Sequence, residues 1–285
     1  MKEIISIITL PVLAGLLLFF VPEKFRTFKG LVALLVSIIT GYLTFVIYSS
    51  GNQMLHMNEL FAGSGLSVFG IDFLRDAGRY LAFNNDSLSK LIVLSVSLFT
   101  FLILLYSIVY IKAGRVKNYY PYFLITLGCA YGAVLSDNLL LFLAFWGVLG
   151  ITLYKLIHGY DEESSATAKK TLILIGASDS IMIIGIAILW KITGSLSMGG
   201  ISVPTTNALS VVAFLALLTG SFTKAGAFPF HTCVPDYAKS APASSSAYLP
   251  ASLDKLLGIY FLARITTGMF ILNDCLLYTS PSPRD

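Results

Sequence analysis

Charge is what this chain has least of. Only 12% of its 285 residues are Asp, Glu, Lys or Arg, 56% are hydrophobic, and the mean hydropathy is +0.82. An ordinary soluble domain is about 45–50% apolar and about 25% charged. Half the usual charge cannot coat a water-facing surface of this size. Disorder is excluded by the same figures, because a disordered chain is poor in hydrophobic residues. Cysteine is scarce as well. Cys129, Cys233 and Cys275 form no CxxC and no metal spacing, so a disulfide scaffold, a Zn site or an Fe–S site has no support. No GxGxxG and no Walker A run is present, so the chain shows no means of binding a nucleotide or carrying electrons. It is read as having no cofactor and no metal. The net charge of +4 is no sign of a nucleic-acid partner. In so apolar a chain the placement of charges matters more.

Long apolar runs are what the sequence does have. A spanning helix needs about 20 mostly apolar residues, and eight segments fit that template: 4–21, 31–48, 88–111, 119–135, 139–157, 171–190, one from Ala208 interrupted near Lys224 to Pro229, and 247–271. The expected class is an all-α polytopic membrane protein. The first run is too long for a signal peptide and lacks a small-x-small cleavage site before Pro22, so it is read as a retained helix. Lys and Arg cluster in the odd loops: Lys24, Arg26 and Lys29, then Lys112, Arg115 and Lys117, then Lys155, Lys169 and Lys170. Those loops are expected to be cytoplasmic and the N-terminus outside. Loop two, 49–87, mixes Gly, Asn and Asp with short apolar runs, which suits a small hairpin or an interfacial helix. Its Arg75 and Arg79 carry little topological weight in so long a loop. Gly128 and Gly132 make a GxxxG in the fourth segment, a pattern that permits close helix packing.

An ionisable side chain at bilayer depth costs about 2.5–3.5 kcal/mol on insertion scales, so each such residue is a functional candidate. Asp179 lies inside the sixth segment; it is either functional or a polar group satisfied by Ser178, Ser180 or a neighbouring helix. Lys224 lies beside a break made of Gly220, Gly226 and Pro229. A charge at a broken helix is how transporters build midplane sites. A lysine held in a low-dielectric site can exchange its proton near neutral pH, as a surface lysine cannot. The other reading is a lysine snorkelling from a helix end. Asp254 and Lys255 are adjacent, so they point about 100° apart and make poor partners for each other. Each would reach another helix or a water-filled cavity, and Asp254 with Lys224 is an attractive pair. Alternatively Pro250 starts the helix and both charges sit at an interface. His231 follows the break, where a proton relay and a structural hydrogen bond are both chemically reasonable.

These residues carry a resemblance. The stretch Phe222-Thr-Lys-Ala-Gly-Ala-Phe-Pro-Phe-His-Thr-Cys-Val-Pro-Asp236 resembles the signature of the antiporter-like membrane subunits of respiratory complex I, membrane-bound hydrogenases and multisubunit Na⁺/H⁺ antiporters of the Mrp type. Asp137-Asn-Leu-Leu-Leu-Phe-Leu-Ala-Phe-Trp146 resembles the start of their shared domain, and Gly258-Ile-Tyr-Phe-Leu-Ala-Arg264 the close of their eighth helix. The resemblance implies two inverted repeats, each a half-channel with a broken helix. This chain would hold the first: residues 1–118 as three leading helices with a long outside loop, and 119–274 as the first repeat, helices four to eight. The closing run 275–285 resembles the translation of a sequencing adaptor, and the natural chain is expected to continue past Asp274.

By resemblance Lys224 is the central lysine of the broken seventh helix and Asp179 the helix-six acid. Two positions depart from the family pattern. Gly147 stands where a glutamate usually follows Phe-Trp in helix five. Pro250 and Leu256 stand where the eighth helix usually has a histidine and a lysine, with Lys255 one residue early. Asp254 would then replace the missing acid and Lys255 the missing base. The function implied is that of a membrane subunit of a complex-I-like, redox-driven proton or Na⁺ translocase. Its path would run through Asp179, Lys224 and the Asp254–Lys255 region, with His231 beside it. The implied location is the cytoplasmic membrane of a prokaryote. Its partners would be membrane subunits, peripheral redox subunits and the lipid bilayer. Three alternatives stay open: an Mrp-type Na⁺/H⁺ antiporter subunit, a membrane subunit of an inorganic-carbon uptake complex, and a non-pumping structural paralogue.

Overall fold

The computed structural model describes residues 2–56, 81–111, 118–159 and 161–272. Hydrocarbon offers no partner to backbone N–H and C=O groups, so each apolar run closes its own hydrogen bonds as a helix. Among the described residues seven helices follow in order: α1 (Lys2–Leu18), α2 (Arg26–Ser49), α3 (Ser87–Tyr110), α4 (Tyr119–Leu135), α5 (Leu139–Ile157), α6 (Glu162–Thr193) and α7 (Ala208–Ala225). A short α8 (Cys233–Ser240) comes next. Among the described residues five stretches are long and apolar enough to cross a membrane: Glu23–Ser49, Ser87–Tyr110, Leu139–Ile157, Glu162–Thr193 and Ala208–Ser240. The apolar α1 and α4 are shorter. Four starts follow the capping rule. The side chains of Asp86, Asn138, Asp161 and Asn207 accept from the backbone N–H of Ser89, Leu140, Ser164 and Ser210 at 2.8–2.9 Å, which satisfies donors the first turn leaves free.

Helix α6 is longer than its apolar run. It begins at Glu162 rather than near 171 because its first turns, Glu-Glu-Ser-Ser-Ala-Thr-Ala-Lys-Lys, are helix-compatible but polar and carry no hydropathy signal. At 1.5 Å per residue it is about 48 Å long, more than the hydrocarbon thickness of about 30 Å. The eighth segment is also longer than expected, and it is irregular. It runs as α9 (Ala243–Tyr248), a π stretch (Leu249–Leu253), α10 (Asp254–Ala263) and a second π stretch (Arg264–Met269). Pro250 therefore sits inside the helix and not at its start. Proline offers no N–H, and the widened turn accommodates that gap.

Helix α4 is the centre of the bundle. All of its residues except Tyr122 and Ile125 are buried, as an all-round hydrophobic helix requires. A Cβ on Gly128 would lie 2.5 Å from Val12 Cγ2, and one on Gly132 would lie 2.6 Å from the Phe145 ring. The GxxxG is thus a two-sided contact that lets α1 and α5 close on α4.

Within loop two, β1 (Gln53–His56) pairs antiparallel with β2 (Ala82–Asn85), Gln53 opposite Asn85; the interfacial helix, the other expectation, falls on residues outside those described. Residues 57–80, Arg75 and Arg79 included, lie outside the described residues, as do 112–117 and 273–285. A parallel pair, β3 (Val203–Pro204) with β4 (Phe270–Ile271), ties the chain before α7 to the end of the eighth segment. At the start of α3, Arg264 grips Asp86 through both guanidinium nitrogens, one at 2.7 Å, and also donates to Ser89 Oγ at 2.8 Å. Burial pushes the Asp86 carboxyl up. The Arg264 hydrogen bonds and charge, with the Ser89 N–H, outweigh it and hold the carboxyl below its ordinary value.

Candidate functional site

Helix α7 ends where its sequence changes character. Gly226 takes a left-handed φ of +65°, which a side-chain-bearing residue adopts only with strain. Its N–H bonds back to the carbonyls of Phe222 and Thr223, closing the helix. Helical structure resumes at Phe230–Thr232 and continues in α8. The predicted break is real, and it leaves Lys224 in the last turn of α7. Cations are favoured there, because the unpaired carbonyls carry partial negative charge.

Lys224 is buried, with 1% of its side chain exposed. It does not snorkel. Its Nζ lies 3.7 Å from Asp254 Oδ1, and neither atom has a hydrogen-bond partner among the described residues. Asp254 reaches this position because α10 crosses α7 closely. A Cβ on Gly258 would fall 2.7 Å from Ala225 N and 2.8 Å from Ser221 O. The Ser221 hydroxyl fills the crossing by donating to Gly258 O at 2.7 Å. Asp254 is one helical turn before Gly258, on the same face, so the crossing delivers its carboxylate to Lys224.

On the other side, Lys224 Nζ lies over the Trp146 ring, 5.0 Å from its centroid, a cation–π distance. Trp146 is fully buried between Phe142 and Phe261. Its Nε1 donates to Asp179 Oδ1 at 2.9 Å. Asp179 is half-buried near the midpoint of α6. Neither neighbouring serine serves it: Ser178 donates to Ile175 O and Ser180 to Gly176 O. Asp179, Trp146, Lys224 and Asp254 therefore form one line across α6, α5, α7 and α10. Trp146 is the member that reading the charges missed. The signal available was a tryptophan, one of two in the chain, directly before the position that lacks the usual acid. A Cβ on Gly147 would meet nothing within 4 Å, so that position borders open space.

Two candidates stand apart from this line. Lys255, one position past Asp254, is exposed and turned away from the pair. His231 is exposed in the turn after the break, its ring 5.8 Å from that of Phe228. Among the described residues, no three His, Cys, Asp or Glu side chains converge to hold a metal.

Residues 136–278, half of the chain, match the family described as NADH:quinone oxidoreductase/Mrp antiporter, TM. A Na(+)/H(+) antiporter subunit of Alkalihalophilus pseudofirmus is 35% identical over 189 residues, 64% of this chain and 23% of that protein. The corresponding Na(+)/H(+) antiporter subunit of Staphylococcus haemolyticus is 32% identical over 202 residues, 68% of this chain and 25% of that protein. The chain thus spans about a quarter of the length of these relatives. Among solved structures, respiratory complex I from Thermus thermophilus shares the fold at 21% identity, with a TM-score of 0.70 over 92% of this chain and 52% of that one. The Mrp complex from Dietzia sp. DQ12-45-1b does so at 21% identity, with a TM-score of 0.72 over 90% and 28%. An archaeal membrane-bound sulfane sulfur reductase does so at 19%, with 0.74 over 93% and 53%. The apolar helices and the family match make the chain an integral membrane protein. By sequence and by fold, it belongs to the antiporter-like membrane subunits of the NADH:quinone oxidoreductase/Mrp family.

Proposed function

We propose that this chain is an ion-translocating membrane subunit of a complex-I-like, redox-driven assembly, and that H⁺ or Na⁺ crosses through the line Asp179, Lys224 and Asp254. The observation that carries the reading is the Lys224–Asp254 pair. Two opposite charges sit buried and 3.7 Å apart, and Lys224 Nζ and Asp254 Oδ1 have no hydrogen-bond partner among the described residues. An ion pair built only for stability would be saturated with donors and acceptors. This one keeps its polar atoms available. Moving charge on either side of Lys224 changes how strongly the site holds its proton. Asp254 supplies the acid that Gly147 does not. Lys255 and His231 would act outside the buried line, where the path meets water. Redox chemistry would belong to partner subunits.

Residues 119–274 are proposed as the first antiporter-like repeat, with the N-terminus outside and the Lys169–Lys170 end of α6 cytoplasmic. The membrane is proposed to be that of a prokaryote. A second reading, an Mrp-type antiporter driven by ion gradients alone, is favoured by the names of the sequence relatives. Reconstitution of the complete complex in vesicles tests both. Ion uptake on addition of an electron donor supports the redox-driven reading, and uptake driven only by an imposed gradient supports the antiporter. In either case Lys224→Ala is expected to abolish coupled uptake, and full uptake by that variant would overturn the path.

A further inference from the structure

Trp146 touches two charged groups that do not touch each other. The edge of its ring donates from Nε1 to Asp179 Oδ1 at 2.9 Å, and Lys224 Nζ lies over its face, 5.0 Å from the centroid. Among the described residues Lys224 pairs with Asp254 and not with Asp179. Packing fixes the ring in this pose. Phe142, one turn earlier on α5, and Phe261 of α10 lie 4.9 and 5.6 Å from it between ring centroids, and they stack on each other at 4.4 Å. Positions 254, 258 and 261 share one face of α10. That face therefore supplies the carboxylate beside Lys224, the glycine of the crossing and the ring behind Trp146. The register of α5 on α6 brings Asp179 opposite. A Cβ on Gly150 would lie 3.4 Å from Ile175 Cγ2, so residues four apart on the two antiparallel helices face each other in both places. A buried indole N–H needs a partner, but a carbonyl would satisfy it. Here the partner is a carboxylate, and an ammonium sits on the face of the same ring.

We propose that Trp146 is a positioning residue that makes the charge of Asp179 felt at Lys224. The proposal rests on the ion-path reading of Lys224. An indole nitrogen donates and does not accept, so the ring hands no proton from one group to the other. An ion that moves between them goes around the ring. What the ring itself carries is polarisation. Ionised Asp179 accepts a charge-assisted hydrogen bond, which draws the Nε1 hydrogen toward the carboxylate and leaves the ring richer in electrons. The negative face of such a ring attracts a cation more strongly, and a low dielectric enlarges both effects. Adding a cation to Asp179 reverses them and weakens the hold on the Lys224 ammonium, which then leans on Asp254 alone. Releasing that cation restores the hold. The ammonium is thus shared between one carboxylate in direct reach and a ring whose pull follows the charge of a second.

Two variants of the complete complex break this link at different atoms. Trp146→Phe keeps a ring face and loses the N–H. Asp179→Asn keeps an acceptor and loses the charge. Each is expected to lower coupled ion uptake about tenfold, the factor expected for one hydrogen bond to a charged group. The double variant should be no slower than the singles, because both remove the same coupling. Losses that multiply would overturn the proposal, and so would full uptake by Trp146→Phe. Ultraviolet resonance Raman difference spectra read the indole N–H bond with Trp146 in place. The Lys224→Met/Asp254→Leu variant removes the ammonium from the ring face without leaving a lone buried charge. It should move the Trp146 N–H band although Asp179 is untouched, and Asp179→Asn should move the same band. A tryptophan that serves packing alone would leave the band unmoved in the first of these complexes, and that result would overturn the proposal. Ion uptake by Lys224→Ala in the same preparation separates the two ideas. If that variant transports fully, the ion path fails. If it is inactive while the losses at 146 and 179 multiply, only the coupling through Trp146 fails.

Discussion

Removing one partner of the Lys224–Asp254 pair should be far more harmful than removing both. At 3.7 Å and an effective dielectric of about 20, the attraction between two unit charges is about 4 kcal/mol. Burying each charge costs several kcal/mol, so the intact pair roughly breaks even against an apolar substitute. Asp254→Leu leaves the Lys224 ammonium buried without its carboxylate and is expected to destabilise the chain by about 3–5 kcal/mol. Lys224→Met leaves Asp254 in the same position and should cost a similar amount. The double variant removes both charges, fills the space with side chains of comparable volume, and should recover most of that loss. The assay is a double-mutant cycle on the assembled complex, with thermal or denaturant midpoints read for all four forms. With single losses of about 3–5 kcal/mol each and most of that recovered in the double variant, the expected coupling is at least about 4 kcal/mol, well above the few tenths seen between independent sites. If the two single losses simply add, the side chains do not interact, and the line from Asp179 to Asp254 is broken at its last link.

Two further outcomes follow from the packing. Gly258→Val places methyl groups where Ala225 N is already 2.7 Å from an ideal Cβ; it should cost about 1–3 kcal/mol and reduce ion uptake with Lys224 and Asp254 both present. At the Asp86–Arg264 contact, Asp86→Asn keeps the helix cap but loses the ion pair, at about 1.5–3 kcal/mol. Asp86→Ala loses the cap as well, adding about 1 kcal/mol. Since the native carboxyl holds its proton less tightly than an unfolded one, this contribution is complete above the ordinary carboxylate value near 4. It is lost only as pH falls through the lower native value. Midpoints of the unaltered protein and Asp86→Asn should therefore converge in acid, and a gap that persists at pH 2 would refute the assignment.

The parts of the fold that were legible in the sequence are those set by local rules. The apolar runs, the break at Gly226 and the close packing at Gly128 and Gly132 each depend on a few neighbouring residues, and the structure has them where expected. The start of α6 was not legible, because Glu162–Lys170 satisfies helix propensity without any hydropathy signal. The π stretches around α10 were hidden as well, since only tertiary packing decides where a helix widens. The pairing of Lys224 with Asp254 is chemically attractive from the sequence, yet the sequence alone does not require it. It depends on α10 crossing α7 at Gly258, a contact between segments far apart along the chain. The same crossing turns Lys255 outward, a choice that a list of charges cannot make.

The position of Lys224 in the last turn of α7 also bears on how many ions the site holds. The carbonyl end of a helix acts as about half a negative charge. With both acids ionised, the single ammonium faces two carboxylates and that helix end. The cluster is then short of positive charge by more than one unit, and a buried region of low dielectric tolerates such a deficit poorly. One added monovalent cation, whether a proton on a carboxylate or a Na⁺ between them, leaves only the helix-end fraction unbalanced. A second would overshoot to net positive. On the proposed ion path, this charge count favours one added cation over none.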